Sequence, residues 1–453
     1  MLFALYCKEF YFVRFVMKIA FYTLGCKVNQ YETQETAELL RSAGHTVVSD
    51  NEEADVYIVN SCTVTAESSR KSRQALRRLR KEHPNAIIAL TGCYAQAFAG
   101  EAADKSDADI IVGNKTNSDL PRLIDEFSHS HKRLINVLPH LKDDKFSGRP
   151  IHEFESHTRA FIKIQDGCNR YCTYCIIPTS KGFSRSKPLD EVKSEIENLA
   201  KCGYKELVFV GINLSSYGMD IGLNICDALE EAEKTDGIER IRLGSLEPDH
   251  ITDEVIERLK KMKKFCPQFH LSLQSGCDSV LKRMNRHYSA AEYTKLCDKL
   301  KKAFPDVSLT TDIIAGFPGE TEEMFLETVE YAKKTGFMKV HVFPYSQREG
   351  TPAATYPDQV PTEEKNRRCR LLQTECDKLR KEYLSEYVGK TMPVLFETPK
   401  NGVQHGYTAN YIPVKVPSLT PLTGLIKNVL ITTSDTEGVT GIISEQGARS
   451  KEQ

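Results

Sequence analysis

The chain has 453 residues, of which 40% are hydrophobic and 27% are charged, and its formal net charge is -1. This length exceeds the usual size of one compact core, so we expect two or three domains. A net charge near zero does not attract nucleic acid to the protein as a whole, so any binding of RNA must depend on a local basic surface. No stretch approaches the apolar length of a membrane span, and a cytoplasmic enzyme is the default expectation.

Residues 1–16 are apolar and aromatic, but they differ from a secretion signal. Lys8, Glu9 and Arg14 interrupt the run, whereas a signal needs an unbroken apolar stretch and a small-residue cleavage site. We therefore expect translation to begin at Met17 and residues 1–16 to be a non-native extension. In a long chain without a signal, fourteen cysteines indicate reduced thiols or metal sites rather than disulfides.

A short apolar run followed by a small residue and a cysteine occurs three times after residue 17. The runs KIAFYTLGC, DVYIVNSC and AIIALTGC end at Cys26, Cys62 and Cys93, and DIIVGN at 109–114 adds a further strand candidate. Strands that alternate with helical segments predict a doubly wound parallel sheet domain over residues 17–138. Because the functional edge of such a sheet lies at the carboxyl ends of its strands, the three cysteines should meet there.

Residues 139–153 are polar and predict a linker, after which a second domain spans residues 154–386. Its strands are predicted at 160–166, 206–213, 239–246, 269–276, 308–315 and 338–345. Helical segments are predicted at 188–202, 251–263, 289–303, 320–335 and 361–388. Six βα units predict an open partial (βα)6 barrel, two units short of a closed one, with its active site at the carboxyl ends of the strands.

The sequence changes character from residue 387 to residue 449. Short β-rich runs, such as MPVLFET and HGYTANYIPVKV, alternate with Gly, Pro and Asn turns. This pattern predicts a small antiparallel β-barrel, a form common in oligonucleotide-binding appendages. The predicted fold class is α/β, with a parallel sheet domain, a partial barrel and a small terminal β-barrel.

Three closely spaced cysteines, Cys168, Cys172 and Cys175, follow the first predicted barrel strand in the order GCNRYCTYC. Thiolates are the natural ligands of iron-sulfur clusters, which usually have four cysteines, so three would leave one iron of a 4Fe-4S cluster open. The alternatives are a zinc site completed by a distant histidine and a chance grouping of cysteines.

The C-x3-C-x2-C motif, with an aromatic residue before its last cysteine, resembles the radical S-adenosylmethionine superfamily. The resemblance implies that the open iron binds S-adenosylmethionine and that one electron cleaves the cofactor to a 5′-deoxyadenosyl radical. Cys168, Cys172 and Cys175 would then be both metal ligands and catalytic residues. The cofactor supplies the difficult chemistry, while the protein supplies position and exclusion of water.

Nearly the whole chain from Met17 resembles a methylthiotransferase, on the segments TLGCKVNQYE, NSCTVT, TGCYAQ, GCNRYCTYCIIP and TDIIAGFPGET. The resemblance implies a second 4Fe-4S cluster on Cys26, Cys62 and Cys93, which for each cysteine alone competes with a buried role at a strand end. It also implies two molecules of S-adenosylmethionine, one as methyl donor and one as radical source. The terminal barrel would be an RNA-binding TRAM domain.

The segments LGCKVNQYE and VGINLSSYG most resemble the class that modifies N6-threonylcarbamoyladenosine beside the tRNA anticodon. The other targets in this family are isopentenyladenosine in tRNA and an aspartate of a ribosomal protein. The run TSKGFSRS departs from the arginine-rich RGxxRSR-like pattern of the family at Thr179, Lys181 and Phe183, although Arg185 and Ser186 fit it. The resemblance also implies a reductase, flavodoxin or ferredoxin as electron donor, whereas the sulfur donor is not indicated.

Polar and glycine residues at the predicted strand ends are candidates for binding S-adenosylmethionine. They are Gly211, Asn213, Ser245, Glu247, Gln274, Asp312 and Gly316. For each of them, a role in a turn or a helix cap is the alternative.

The helical segment RKSRQALRRLRK at 70–81 carries seven basic and no acidic residues. Arg73, Arg77 and Arg78 are therefore candidates for contact with tRNA phosphates, and a solvated helix face is the alternative. A non-catalytic, zinc-containing RNA-binding protein remains a rival to the enzyme, and the metal content would discriminate between the two.

Overall fold

The computed structural model describes residues 16–149, 151, 158–418 and 420–444. The predicted extension therefore lies outside the described residues except for Val16, as do residues 150 and 152–153 of the predicted linker and 445–449 of the predicted terminal barrel. The chain divides into two compact units, the first ending at Pro139 and the second beginning at His140, with the short segment Val64–Ala66 grouped with the second.

The first unit contains a six-stranded sheet with strand order β2-β1-β3-β4-β5-β6, in which every neighbouring pair is parallel. Its strands are β1 (Lys18–Thr23), β2 (Thr46–Val48), β3 (Val56–Ser61), β4 (Ile87–Gly92), β5 (Ile110–Val112) and β6 (Leu134–Asn136). Its helices are α1 (Lys27–Ser42), α2 (Ala66–Glu82), α3 (Cys93–Ala97), α4 (Ala99–Lys105) and α5 (Leu120–Ser130).

Both faces of this sheet are covered by helices. Alternating residues of β3 divide between two apolar clusters, since Val59 packs with Leu76 of α2 and Ile58 packs with Leu40 of α1. Every residue of β3 is buried, as expected for a central strand of a parallel sheet. The prediction of a doubly wound parallel sheet is confirmed.

The second unit begins with a partial barrel of parallel strands. Its strands are β7 (Arg159–Asp166), β8 (Arg185–Ser186), β9 (Glu206–Gly211), β10 (Arg240–Leu243), β11 (Ser245–Leu246), β12 (Gln268–Leu271), β13 (Ser308–Ala315) and β14 (Lys339–Pro344). Its helices are α6 (Ile177–Lys181), α7 (Leu189–Lys201), α8 (Ile225–Lys234), α9 (Asp253–Lys261), α10 (Asp278–Arg283), α11 (Ala290–Ala303) and α12 (Glu322–Thr335). Several of these helices start at conventional caps, such as Ser289, which forms a capping box with Glu292.

Six parallel strands form the barrel wall. The groups β7-β9-β10 and β12-β13-β14 are each parallel, and a parallel bridge between Ile241 and Phe265 joins them. β8 pairs antiparallel to β7. The prediction of a partial (βα)6 barrel is confirmed, although the third predicted strand is divided between β10 and β11, and the fourth ends at Leu271.

A long helix, α13 (Thr362–Ser385), leads from the partial barrel to a small closed barrel. The strands of this C-terminal barrel are β15 (Thr391–Phe396), β16 (Val403–Thr408), β17 (Pro413–Pro417), β18 (Ile426–Ser434) and β19 (Val439–Ile443). Their order is β15-β16-β17-β19-β18, and β17 pairs with β19 in parallel, so the barrel is not antiparallel throughout as predicted. None of the described helices has the length and apolar character needed to cross a membrane.

Candidate active site

Cys26, Cys62 and Cys93 lie at the carboxyl ends of three neighbouring strands. Cys26 follows β1, Cys62 directly follows β3, and Cys93 directly follows β4 as the first residue of α3. Because β1, β3 and β4 are adjacent and parallel, these cysteines share one edge of the sheet. Cys62 and Cys93 are buried, while Cys26 is exposed.

Asn29, on the first turn of α1, connects this group of cysteines. Its Nδ2 donates to Leu24 O at 2.7 Å and to Ser61 O at 3.1 Å. Its Oδ1 lies 3.9 Å from Cys26 Sγ and 4.0 Å from Cys93 Sγ. One buried amide therefore ties the loop before Cys26 to the end of β3 and faces two of the three thiols. Asn29 was not among the predicted site residues, since nothing in the pattern KVNQYE marks it.

The small residues before the cysteines make this approach possible. Gly25 has φ +108°, and a Cβ added there would lie only 3.0 Å from Cys62 Cβ. Gly92 has φ +91°, and a Cβ there would lie 2.5 Å from Ser61 O. A side chain at either position would push the strand ends apart, so the glycines are required for the three thiols to converge.

The basic helix α2 follows Cys62 in the sequence. Arg73 forms an ion pair with Glu101 at 2.9 Å, and the guanidinium of Arg78 lies 4.9 Å from the ring centroid of Tyr22. Arg77 is exposed. Of the three predicted RNA contacts, Arg73 thus has a partner within the protein, while Arg77 points into solvent.

Cys168, Cys172 and Cys175 lie in the loop after β7, at the carboxyl end of the first barrel strand. The loop is closed by hydrogen bonds from Cys168 N to Gly182 O at 3.0 Å and from Cys175 N to Cys172 O at 2.9 Å. Tyr171 adopts a left-handed conformation with φ 50°, which a bulky residue rarely does, so the curl of the loop is imposed by its surroundings.

Burial raises the pKa of the Cys168 thiol to about 11 and also raises that of Cys175, and the nearby thiolate of Cys172 adds to both shifts. The Cys168 and Cys175 thiols are therefore unfavourable as free thiolates. A bound metal group would supply the positive charge that they need, and its binding would release protons.

Arg286 links this loop to the barrel wall. Its Nη1 donates to Cys172 Sγ at 3.2 Å and to Glu247 Oε1 at 3.2 Å, and its Nη2 donates to Ser272 O at 3.0 Å. Burial alone would lower the pKa of Arg286, but the tyrosines around it, Glu247 and Cys172 hold that pKa well above its usual value. A permanent positive charge therefore stands beside one thiol. Arg286 was not among the predicted site residues, because it lies in a loop after α10, far from the cysteines in sequence.

A cavity of ≈ 390 Å³ opens beside the cysteine loop. Its lining residues are Asn169, Arg170, Ser184, Asn213, Ser216, Met219, Asp220, His250 and His287. Asn213 is almost fully buried, and its Oδ1 has no hydrogen-bond partner among the described residues. A buried acceptor of this kind is costly unless a ligand satisfies it, so the cavity is a candidate ligand site.

Gly211 and Asn213 are positioned by Gln165 of β7. Gln165 Oε1 accepts from Asn213 N at 2.7 Å, and its Nε2 donates to Gly167 O at 2.9 Å. A Cβ on Gly211 would lie 3.0 Å from the Gln165 side chain. The two predicted residues are therefore tied to the cysteine loop through one side chain.

The other predicted cofactor residues occupy different surroundings. Ser245 is exposed at the start of β11. Gln274 has φ 70°, and its N–H donates to Asp312 O at 2.9 Å. The Asp312 carboxylate lies 3.2 Å from His270 Nε2. Gly316 has φ +74°, and a Cβ there would lie 2.5 Å from Lys365 of α13, so its glycine serves a tight turn against a helix.

Both cysteine groups fit iron-sulfur clusters by the chemistry of their donors. Among the residues the structure describes, no three His, Cys, Asp or Glu side chains stand in an arrangement that holds a single metal ion. Each of the two groups supplies three thiols, the donor type that iron-sulfur clusters use, and three thiolates leave one iron of a 4Fe-4S cluster open.

Comparison with known proteins agrees with this chemistry. Residues 162–332 match the Radical SAM superfamily, and residues 18–113 match the Uncharacterized protein family UPF0004. Threonylcarbamoyladenosine tRNA methylthiotransferase MtaB of Bacillus subtilis is 40% identical over 420 residues, which cover 91% of this chain and 93% of the relative. The tRNA-2-methylthio-N(6)-dimethylallyladenosine synthase of Clostridium botulinum Loch Maree is 37% identical over 388 residues, which cover 84% of this chain and 86% of the relative.

A solved structure shares the fold. The radical S-adenosylmethionine methyltransferase TsrM of Kitasatospora setae, with cobalamin and a [4Fe-4S] cluster bound, superposes with a TM-score of 0.53 at 13% identity. The match covers 86% of this chain and 81% of that chain. Identity, coverage and fold together show that the chain belongs to the methylthiotransferase family of the radical S-adenosylmethionine superfamily.

Proposed function

We propose that this enzyme adds a methylthio group to C2 of N6-threonylcarbamoyladenosine beside the tRNA anticodon. The observation that carries the proposal is the presence of two separate thiol groups, each at the carboxyl ends of parallel strands. Insertion of sulfur at an unactivated C–H carbon needs one centre that creates a radical and another that provides sulfur. The relative from Bacillus subtilis, named for this nucleoside, supports the choice of target.

Cys168, Cys172 and Cys175 would hold the 4Fe-4S cluster that cleaves S-adenosylmethionine, and Cys26, Cys62 and Cys93 would hold the auxiliary cluster. When bound, the first cluster supplies an electron for radical formation and the second presents sulfur. Two molecules of S-adenosylmethionine would be used, one as methyl donor and one as radical source. The protein's own contribution is positional, since Arg286 fixes Cys172 and Asn29 fixes the loops of Cys26 and Cys62.

Asn213 and Glu247 are the predicted residues best placed to bind S-adenosylmethionine. The unpartnered Asn213 Oδ1 can accept a hydrogen bond from an ammonium group, and Gly211 lets the backbone approach a ligand closely. Glu247 is held by Arg286 within reach of the Cys172 loop. Gln274, which follows β12, is hydrogen-bonded to Asp312 of β13, and both would contact the rest of the cofactor, whereas Ser245 and Gly316 suit turn roles better.

The proposed partners are tRNA carrying threonylcarbamoyladenosine and a reductase, flavodoxin or ferredoxin that delivers electrons. We also propose that residues 17–138 form the auxiliary-cluster domain, that residues 154–386 form the radical domain after a linker at 139–153, and that residues 387–449 form an RNA-binding TRAM domain. The cytoplasm is the compartment where this tRNA substrate would be met.

The test is a comparison of tRNA nucleosides by mass spectrometry. A bacterial strain that lacks its own threonylcarbamoyladenosine methylthiotransferase would express the wild-type chain or the matched variant Cys172→Ala. We expect the methylthio derivative of threonylcarbamoyladenosine with the wild type only. A methylthio group on isopentenyladenosine or on a ribosomal-protein aspartate instead would show the alternative target, and purified protein with zinc but without iron or sulfide would show the non-enzymatic RNA-binding alternative.

A further inference from the structure

The turn between β16 and β17 of the C-terminal barrel is inserted into the partial barrel. We call residues 407–411 the floor turn. The residues that contact it lie at or next to the starts of barrel strands: Arg159 of β7, Arg240 and Arg242 of β10, and Ser308 of β13. Because these strands are parallel, the floor turn lies at the end of the barrel opposite to the cysteine loop.

Two buried arginines bind the floor turn through its carbonyl groups. Arg240 donates to Tyr407 O and to Pro393 O, each at 2.9 Å. Arg242 donates to Ala409 O at 3.0 Å and to Thr408 O at 3.4 Å. A guanidinium group offers five donors in a fixed fork, and here the backbone of another domain accepts them.

The charge of these arginines is balanced inside the barrel. Arg242 is fully buried, and its Nε donates to Glu206 Oε1 at 3.0 Å. Burial alone would raise the pKa of Glu206, but Arg242, Arg159 and Arg240 outweigh it and hold that pKa below its usual value. Arg159 also pairs with Glu397 of the C-terminal barrel at 2.7 Å. The interface is therefore a network of paired charges and not an incidental contact.

Aromatic rings also contribute to the contact between the floor turn and the partial barrel. Tyr407 and Tyr411 stack with ring centroids 4.5 Å apart. The guanidinium of Arg159 lies 5.0 Å from the Tyr407 ring, and that of Arg242 lies 4.5 Å from the Tyr411 ring. Tyr411 has φ 68°, a conformation that is costly for a bulky residue and persists only when its surroundings impose it.

Asn410 fastens the turn to the rim of the partial barrel. Its Nδ2 donates to Asp306 O at 3.0 Å and to Tyr387 OH at 2.9 Å, and its Oδ1 accepts from Thr408 Oγ1 at 2.6 Å. Its carbonyl oxygen accepts from Ser308 Oγ at 2.5 Å. Asn410 is 1% exposed, so its own polar atoms are shielded from water.

We propose that the floor turn closes the partial barrel and serves as the floor of its reaction chamber, a role of the C-terminal barrel separate from RNA binding. The chemical need for a floor rests on the proposed function, because a radical must be shielded from water and from side reactions. The contacts that close the end of the partial barrel are present whatever reaction the enzyme catalyses. Loosening the floor turn should admit solvent to the starts of β10 and β13 and uncouple cofactor cleavage from product formation.

The test is hydrogen–deuterium exchange on the full chain with the variants Tyr411→Ala and Asn410→Ala. The control is Ile442→Ala, which removes an exposed side chain of the same C-terminal barrel. We expect exchange in Arg240–Leu243 and Ser308–Ala315 to become about tenfold faster in the two floor variants and to stay unchanged in the control. Binding of tRNA should stay within about twofold of wild type, and 5′-deoxyadenosine formed per methylthio product should rise several-fold.

Unchanged exchange in folded Tyr411→Ala and Asn410→Ala would overturn the proposal. If Tyr411→Ala fails to fold, Ser308→Ala replaces it in the exchange experiment beside Asn410→Ala. Ser308→Ala removes the hydrogen bond from Ser308 Oγ of the partial barrel to Asn410 O. Faster exchange in every variant including Ile442→Ala would also overturn it, because that result means general loosening. If exchange is faster only in the floor variants but the wild-type protein makes no methylthio product, the proposed role of the floor turn is supported. The proposed function is then refuted.

Discussion

The two cysteine groups of this enzyme reach a similar arrangement by different routes. Cys168, Cys172 and Cys175 lie within one loop, so local sequence brings them together. Cys26, Cys62 and Cys93 come from three separate strand ends, and only the parallel pairing of β1, β3 and β4 places them on one edge. A local group depends on the shape of one loop, whereas a dispersed group depends on the integrity of a whole sheet.

The two groups also differ in the residue that stands beside the thiols. Arg286 places a permanent positive charge next to Cys172. Asn29 faces Cys26 and Cys93 with a neutral amide. Positive charge and hydrogen bonds near cluster sulfurs favour the reduced state, so the two proposed clusters should differ in reduction potential. This difference fits a division of work in which one cluster accepts and passes an electron and the other carries sulfur.

The largest expected effect comes from removing one thiol of each group in turn. Cys172→Ala should abolish formation of 5′-deoxyadenosine and of methylthio product, because the radical source is lost. Cys62→Ala should abolish the methylthio product but leave 5′-deoxyadenosine formation within several-fold of wild type. Each variant should retain about four of roughly eight irons after anaerobic purification. Loss of cofactor cleavage in Cys62→Ala, with its remaining irons intact, would contradict the division of work.

An intermediate effect is expected from the residues beside the thiols. Arg286→Met removes the charge next to Cys172 and should lower the midpoint potential of the radical cluster by on the order of 60 mV, the one-electron equivalent of a tenfold change. Arg286→Lys, which keeps the charge, is the matched control and should shift it less. Redox titration followed by electron paramagnetic resonance measures both. An equal shift in the two variants would mean that the fork geometry, and not the charge, sets the potential.

The smallest expected effect concerns helix α2, where paired and exposed arginines can be compared. Arg77→Ala should weaken tRNA binding a few-fold and reduce the salt slope of the affinity by about 1, since one phosphate contact is lost. Arg73→Ala should leave that slope nearly unchanged and cost below about 1 kcal/mol of stability, because Arg73 is engaged with Glu101 in a partly exposed ion pair. Identical salt slopes for both variants and the wild type would remove the helix from the RNA interface.

Much of the fold could be predicted from sequence. The alternation of apolar strands and amphipathic helices indicated the parallel sheet and the six βα units, because hydrophobic periodicity is a local property of the chain. Strand ends were less predictable. The fourth barrel strand ends at Leu271, before Gln274 adopts φ 70°, and the pattern LSLQSG gives no local signal for that change. The parallel pairing of β17 with β19 was missed as well, since pairing partners depend on the path of the chain.

The candidate site also contains some residues that could be predicted from the sequence and others that could not. The identity and spacing of the thiols, and the apolar strands that precede Cys26, Cys62, Cys93 and Cys168, can be read directly from the sequence. The position of Arg286 beside Cys172, of Asn29 between Cys26 and Cys93, and of Tyr411 against Arg242 of the partial barrel depends on the folded chain. This division arises because ligand spacing and strand periodicity are encoded over a few residues. A buried charge or amide is instead chosen by the partners that satisfy it, and those partners come from distant parts of the chain.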